Sequence, residues 1–381
     1  LHRLWIGRHT QLTVETRPKR VRVENGILHH KLLLGSTALV GASVLLAGTA
    51  VAPRPAAAQG FEVKLSGYTE TGVKYGSNET LSGASDRDYD FFMDSEIHIR
   101  ADGKTDSGVN YGSKVELEVD TPSTFNADEV GLYFSGGFGR LELGRDDGAD
   151  DVMFVGGEDA QAGTGGIDGD TPNLGGITYN NTGDATKVTY FTPRLAGFQL
   201  GASFTPDTSG DGQGNGTGQD DNGAQENVVS GGVNWTGVLG PVDLTLAAVG
   251  MKGNGERLGN RDVDDAKSWS IGGLMGFGGL TAGLGYVSQD DQGDDASVIN
   301  AGLKYGFGAA NVSVGYTHRD SDNGPTQNVY VASADYGLMP GVVVKGDVSY
   351  NDKDPGYQNG NRAQGSPDDT WGAVATIQLN Y

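Results

Sequence analysis

An all-β chain closed into a transmembrane antiparallel up-and-down barrel of sixteen strands is what this sequence predicts. Three observations carry that reading. Apolar and polar residues alternate with period two through most of residues 61–381. Every second connection between the alternating runs is a tight turn, whereas most of the others are longer and polar. The last run, WGAVATIQLNY, keeps one apolar face to the final residue. Period two places neighbouring side chains on opposite faces of a sheet. In hydrocarbon every backbone N–H and C=O needs a partner, and only a closed barrel of strands leaves no open edge.

Composition bounds the function. The chain has 381 residues, 64 Gly, no Cys and a formal charge of -22. Glycine far exceeds its average share of roughly 7% but shows no G-X-Y period, so the chain is not collagen-like. Without Cys there is no disulfide scaffold and no Cys-based zinc or redox site. The negative charge would repel phosphates and excludes nucleic acid as a partner. Length does not demand two domains, since all-β barrels run beyond about 200 residues as one.

Residues 1–58 stand apart, with eight Lys or Arg against Glu15 and Glu24, leaving about 28 net negative charges on the remainder. His29, His30 and Lys31 precede the apolar run LLLGSTALVGASVLLAGTA, and APRPAAAQ follows with Ala56 and Ala58 at the small positions. That order makes 29–58 a secretory signal peptide with cleavage after Ala58. The competing reading is a single transmembrane helix, which needs about twenty apolar residues. Gly, Ser and Thr dilute this run, and the cleavage pattern follows it at once. Residues 1–28 fit neither reading; with no Met before Met93, they read as an extension upstream of the true start. Residues 59–381 then form one exported domain.

Within that domain FEVKLSGYTETGVKY sets Phe61, Val63, Leu65, Val73 and Tyr75 against Glu62, Lys64, Glu70 and Lys74. DYDFFMDSEIHIRAD sets Tyr89, Phe91, Met93, Ile97 and Ile99 against Asp94, Glu96, His98 and Arg100, and VNYGSKVELEVD repeats the pattern through Lys114, Glu116 and Glu118. Strands follow at 127–136, 138–146, 185–193, 196–206, 226–237, 241–252, 266–277, 279–290, 295–307, 310–319, 326–338, 341–352 and 369–381. The tight turns are DGKTDSG, GG at 136–137, PRLAG, GVLG, FGG, GFGA and LMPG; the long connections include 77–87, 147–184, 207–225, 253–265 and 353–368. Short turns at one end and long loops at the other are the pattern of an outer-membrane barrel, with the turns periplasmic and the loops extracellular. About ten residues of tilted strand cross a bilayer, and sixteen strands enclose a lumen too wide for side chains to fill. The charged face therefore lines water. Tyr and Phe near strand ends, such as Tyr75, Tyr89, Tyr111, Tyr190, Tyr305, Tyr336 and Tyr350, suit interfacial girdles.

FEVKLSGY, DGKTDSGVNYGSKVELEVD, VGLYFSGGFGRLELGRDDGADD and the closing WGAVATIQLNY together resemble a Gram-negative outer-membrane general diffusion porin of the alphaproteobacterial type. The resemblance implies a passive channel for small hydrophilic solutes and ions, a homotrimer, and contact with outer-membrane lipid and lipopolysaccharide. It implies that Tyr381, where the family usually ends on Phe, is the C-terminal aromatic recognised by the barrel-assembly machinery. In such porins the third long loop folds into the pore, and here that loop is 147–184. Its acids, with Asp146 at the root, are Asp147, Asp150, Asp151, Glu158, Asp159, Asp168, Asp170 and Asp184. The family opposes them with basic wall residues; by parity the lumen-facing bases here are Lys64, Lys74, Arg100, Lys114 and Arg140, while Arg87 and Arg145 lie at strand ends.

Two unit charges 4 Å apart interact by about 1 kcal/mol in water and by more beside low-dielectric walls. Screening acts beyond roughly 8–10 Å in physiological salt. An ion in a constriction narrower than that feels several carboxylates together, so the acid excess predicts a weakly cation-selective pore. The bland alternative is an acidic loop that merely faces solvent. A substrate-selective porin, for carbohydrates for instance, is the second functional reading, and a soluble secreted β-protein the third. The outward faces argue against the last, as in Ile299, Ala301, Leu303 and Tyr305 against Asn300 and Lys304.

Neither DTSGDGQGNGTGQDDNG (207–223) nor GGIDGD (165–170) keeps a calcium-repeat period or EF-hand spacing. No resident cofactor is expected, although one structural Ca²⁺ on loop carboxylates remains an open alternative with no ligands assigned. Catalysis has little to stand on: after residue 58 only His98 and His318 occur, and no H-E-x-x-H, G-x-S-x-G or P-loop motif is present. Glu96 and His98 share the polar face of one strand and read as part of a charged wall.

Overall fold

The computed structural model describes residues 61–76, 88–120, 127–172, 174, 179, 181–209, 222–257, 263–291, 294–322, 326–354, 357–358, 361–362 and 369–381. The expected signal peptide, the extension before it and Arg87 lie outside the described residues. The strands are β1 (Glu62–Gly76), β2 (Tyr89–Lys104), β3 (Asn110–Glu118), β4 (Ala127–Gly136), β5 (Gly139–Arg145), β6 (Thr186–Phe191), β7 (Phe198–Asp207), β8 (Gln225–Leu239) and β9 (Val242–Gly255). They continue with β10 (Ala266–Phe277), β11 (Leu280–Asp291), β12 (Asp294–Phe307), β13 (Ala310–Ser321), β14 (Thr326–Met339) and β15 (Val342–Asp354). A two-residue hairpin follows, β16 (Tyr357–Gln358) with β17 (Asn361–Arg362), and β18 (Asp369–Asn380) ends the chain. β1–β15 and β18 form one closed barrel of sequential antiparallel neighbours. All sixteen expected strands are present; the small hairpin, inside the last long connection, is an addition.

Closure is made by β1 on β18, from Tyr68 opposite Asn380 to Gly76 opposite Gly372. The final residue takes part: Gly67 N–H donates to the Tyr381 carbonyl (3.0 Å) and Tyr381 N–H to the Gly67 carbonyl (3.1 Å). At this same end of the strands, tight turns such as those at Gly278 (φ 60°) and Gly308 (φ 64°) need the left-handed backbone that glycine adopts without strain.

The side exposed to the surroundings is apolar. Phe91, Leu284, Val314 and Val348 all stand exposed on the outward parity. Aromatics gather in two rows. Near the long loops, Tyr316, Tyr330, Tyr350 and Trp371 are successive cross-strand partners on β13, β14, β15 and β18, and the Trp371 ring lies 4.8 Å from that of Tyr75. Near the turns, Phe61 meets Tyr111 edge-on at 5.5 Å and Phe198 meets Trp235. An apolar band between two aromatic girdles is what a barrel in lipid requires.

The inner face is less uniform than the alternation suggests. On β1–β5 it is charged, but over β8–β14 it carries Val228, Val249, Met251, Val287, Val298, Val329 and Val331, all buried. They are covered from inside by Met153, Phe154, Ile167, Leu174 and Tyr179 of the segment between β5 and β6. The expectation of a lumen lined only by polar side chains therefore needs correcting. A small hydrophobic core sits inside the barrel, and each large side chain fully buried there contributes about 1.5–3 kcal/mol.

Candidate functional site

The segment from Asp146 to Ala185 is not structureless. It makes one helical turn, α1 (Ala149–Val152), and two 3₁₀ turns at Glu158–Ala160 and Gly166–Asp168. These are short because the segment's hydrogen bonds go elsewhere. Ala149 N–H donates to Ser203 Oγ on β7 (2.7 Å), and Gly157 N–H to Asn300 Oδ1 on β12 (2.8 Å). Ala162 N–H donates to Ser313 Oγ on β13 (2.8 Å), and Gly163 N–H to Asp335 Oδ2 on β14 (3.2 Å). Thr164 donates both its N–H (2.8 Å) and its hydroxyl (2.7 Å) to Asp347 Oδ2 on β15. In return Ser230 on β8 donates its hydroxyl to Asp150. All these wall side chains lie on the parity opposite the exposed apolar face. The segment therefore lies against the inside of the wall from β7 to β15.

Close contact there requires small wall residues. A Cβ at Gly272 on β10 would strike the Val155 carbonyl oxygen; at Gly283 on β11, the Gly156 oxygen; at Gly302 on β12, the Gly157 oxygen; and at Gly372 on β18, the Pro172 oxygen. At Gly315 on β13 it would come within 2.5 Å of Ile167 Cγ2. Part of the glycine excess in the composition is thus a seat for the segment. Replacing Gly272 or Gly302 with Val should dislodge it without breaking strand pairing. The expected result is unchanged β-sheet circular dichroism, with altered single-channel conductance and new proteolysis within 147–184. Unchanged conductance and unchanged resistance to protease would contradict the seat.

The expected acids fall into groups. Asp146 accepts an ion pair from Lys114 at 2.9 Å, and Asp170 one from Lys74 at 3.2 Å. Asp150, within α1, is fully buried. Asp147 is half-buried, and Asp159 caps the backbone N–H of Gly156 at 2.9 Å. Asp151, Glu158 and Asp168 line one cavity of about 110 Å³ with Phe154, Tyr179, Asn181 and Asn300. Among the described residues no Lys or Arg forms an ion pair with Asp151, Glu158, Asp159 or Asp168.

The expected bases lie on the arc β1–β5, which the segment leaves uncovered. Most are paired with their own wall rather than with the segment. Lys64 sits 3.5 Å from Glu62 and 3.6 Å from Asp102, and Arg140 pairs with Glu142. Arg100 and Arg140 both stack over the Tyr133 ring, at 5.7 and 4.4 Å from its centroid. Lys114 also contacts Glu129 and lies 3.8 Å from Glu116. Among the described residues, only Lys114 and Lys74 form ion pairs with the acids of the 146–184 stretch, at Asp146 and Asp170. Two further bases, which parity did not single out, secure its root. Arg145 donates to the carbonyls of Ala127 (3.2 Å) and Asp184 (3.4 Å), and buried Lys187 donates to those of Asp146 and Gly183. For the calcium alternative, Glu129, Asp147 and Asp184 bring one carboxylate oxygen each within 4.8 Å of the others. Residues 210–221 lie outside the described residues, and in the 165–170 stretch Asp170 is already held by Lys74.

Burial also changes the carboxylates. Desolvation raises the Glu158 carboxyl to about 7, helped by Asp159 and Asp168. Burial raises Asp147 to about 6, with Asp151 and Asp146 adding to it, and raises Asp184 to about 6 with Asp128 and Asp147 contributing. A raised carboxyl is neutral up to a higher pH, so these three groups are charged above pH 7 and lose that charge as pH falls toward 5. Ion selectivity should shift toward anions over the same range, as measured by reversal potentials at pH 8, 6.5 and 5. A pH-independent value would place these groups away from the ion path.

A closed sixteen-stranded antiparallel barrel with an apolar exterior, aromatic girdles and a segment laid along its inner wall defines a transmembrane β-barrel of the porin architecture. The Gram-negative porin family profile matches residues 41–356, and the chain belongs to that family. Among solved structures it is similar to an anion-selective porin from Comamonas acidovorans, with TM-score 0.60 and 18% identity over 84% of this chain and all of that one. It is also similar to the trimer form of OmpT, an outer membrane protein of Vibrio cholerae, with TM-score 0.59 and 13% identity over 85% of this chain and all of that one. An uncharacterized protein of Rickettsia felis is 30% identical over 121 residues, 25% of this chain; the match spans 27% of that relative's length.

Proposed function

We propose that this chain forms a water-filled channel across the outer membrane for passive diffusion of small hydrophilic solutes and ions. We propose further that segment 147–184 forms its constriction and that the channel prefers cations. One observation supports the preference above all: Asp151, Glu158 and Asp168 share a cavity on the segment and have no basic partner among the described residues. Of the wall bases that would offset them, Lys64 and Arg140 are held by wall acids and Lys74 and Lys114 by Asp170 and Asp146. An ion passing within a few ångströms meets several carboxylates at less than a Debye length. The Comamonas porin is described as anion-selective, so ion preference is a property of side chains on this fold rather than of the fold. The proposal needs no catalytic group.

Reversal potential across a salt gradient in planar bilayers tests the reading. A cation-preferring potential is expected, and the double variant Glu158→Gln with Asp168→Asn should reduce the preference without abolishing conductance. A chloride-preferring potential in the unmodified protein would sink the cation assignment, and absence of conductance from folded protein would sink the channel.

A homotrimer is part of the same proposal. On the exterior, Ala332, Ala334, Gly346, Ala373 and Ala375 line one shallow groove across β14, β15 and β18, bordered by Val73 and Tyr75 of β1. Small residues let a neighbouring barrel approach closely. Replacing Ala334 and Ala373 with Trp should convert the trimer to monomer in detergent, read by light scattering; a trimer that persists would place the interface elsewhere.

A further inference from the structure

The wall opposite the segment carries a second arrangement, which the channel does not require. Glu96 and His98 occupy successive inward positions on β2, and the residue directly across from His98 on β3 is Glu116. His98 Nε2 lies 2.7 Å from Glu96 Oε2 and 4.0 Å from Glu116 Oε2. One ligand atom from each of the three fits within 4.8 Å of the others. The side chains are 30%, 23% and 24% exposed in the order His98, Glu96, Glu116, so they are reachable from the lumen and still held by the sheet. One of them is oriented from behind. The Tyr68 hydroxyl reaches Glu96 Oε1 at 3.2 Å, the oxygen that does not face His98, and also touches Asp94.

The geometry points to a binding site for a borderline divalent transition-metal ion such as Zn²⁺, formed by His98, Glu96 and Glu116 on the pore wall. One imidazole nitrogen and two carboxylate oxygens are a donor set that suits Zn²⁺, with water completing the coordination. Ligand atoms about 2.0–2.2 Å from the ion require modest side-chain movement from the present separations. The ion binds neutral His98 through Nε2, displacing the Nε2–Glu96 hydrogen bond, with the ring proton held on Nδ1. An all-oxygen cluster would favour Ca²⁺ or Mg²⁺ instead, so the imidazole is what decides the class of metal. Strand register supplies the juxtaposition: a one-residue slip of β3 would turn Glu116 to the lipid face. Lys114, 3.8 Å from Glu116 Oε1, is the nearest competing cation and is itself held by Glu129 and Asp146.

The test is titration calorimetry on the folded, detergent-purified protein with Zn²⁺ and, separately, Ca²⁺. One Zn²⁺ per barrel is expected, bound at least tenfold more tightly than Ca²⁺. His98→Ala should weaken Zn²⁺ binding more than Tyr68→Phe, whose loss as an outer-shell orienter is expected to be about 10-fold. Circular dichroism of each variant verifies the barrel, and the Zn²⁺ and Ca²⁺ comparison on unmodified protein stands without any variant. Equal affinity for the two ions, no Zn²⁺ binding, or Zn²⁺ affinity untouched in His98→Ala would each overturn the site.

Discussion

The interior of this barrel depends on the transfer of hydrogen bonding from a loop to the wall behind it. A chain segment inside a pore cannot satisfy its backbone through a ladder, because the wall's own N–H and C=O groups are used in strand pairing. Here the wall's side chains take that role. Ser203, Asn300, Ser313, Asp335 and Asp347 each accept a backbone N–H from a successive stretch of the segment. Each such bond has a net value of about 0.5–1.5 kcal/mol, but leaving the groups buried and unpaired would cost about 1–3 kcal/mol apiece. The penalty for detachment, more than the gain from attachment, fixes the segment. Met153 and Ile167, both essentially inaccessible, add hydrophobic anchorage over the valines of β8–β14. The segment behaves as part of the wall.

Electrostatic asymmetry follows from that anchorage. With one arc of the wall covered, the uncovered arc β1–β5 and the segment are the two surfaces left to face water. On the uncovered arc, Lys64, Lys114 and Arg140 pair with Glu62, Asp102, Glu116, Glu129 and Glu142, while Arg100 stacks over Tyr133. Segment 147–184 has no Lys or Arg of its own, and among the described residues the bases of that arc meet it and its root at Asp146 (Lys114), Asp170 (Lys74) and the Asp184 carbonyl (Arg145). Its middle therefore stays acidic. Buried surroundings moderate the charge by raising the carboxyl groups of Glu158 and Asp147.

The exterior and the strand set were legible in the sequence because each strand there separates two very different solvents. Lys64 beside Leu65, or Lys114 beside Val115, leaves no ambiguity about face. The interior was legible only in part. Val287, Val298 and Val329 sit on the inward parity yet are apolar, because the segment and not water covers them. Nothing local announces this, since the partners lie far away in sequence; Thr164 and Asp347 are separated by 183 positions. The sign of the acidic stretch could be read directly. Its burial pattern could not, because Asp150 and Asp151 are neighbours in sequence and face opposite environments. A faint signal was available in the inward glycines and serines of β10–β13, too small and too uncharged for a wall that met only water.

The same logic separates what the fold determines from what it leaves free. Closure depends on backbone geometry and on the contrast between lipid and water, so the fold is shared with a structure only 18% identical. The track for the segment needs only small or hydrogen-bonding residues at inward positions, a loose requirement that many sequences meet. Charge is different: no backbone contact in the seat involves the carboxylates of Asp151 or Asp168, and exchanging them would leave every bond to Ser203, Asn300 and Ser313 in place. Ion preference can therefore drift between relatives while the architecture stays fixed. The seat for the segment and the charge it carries are held by separate sets of residues. An acid stretch as long as this one is compatible with folding because Asp151 and Asp168 stand off the contacts that hold it, while Asp146, Asp150, Asp159 and Asp170 take part in them.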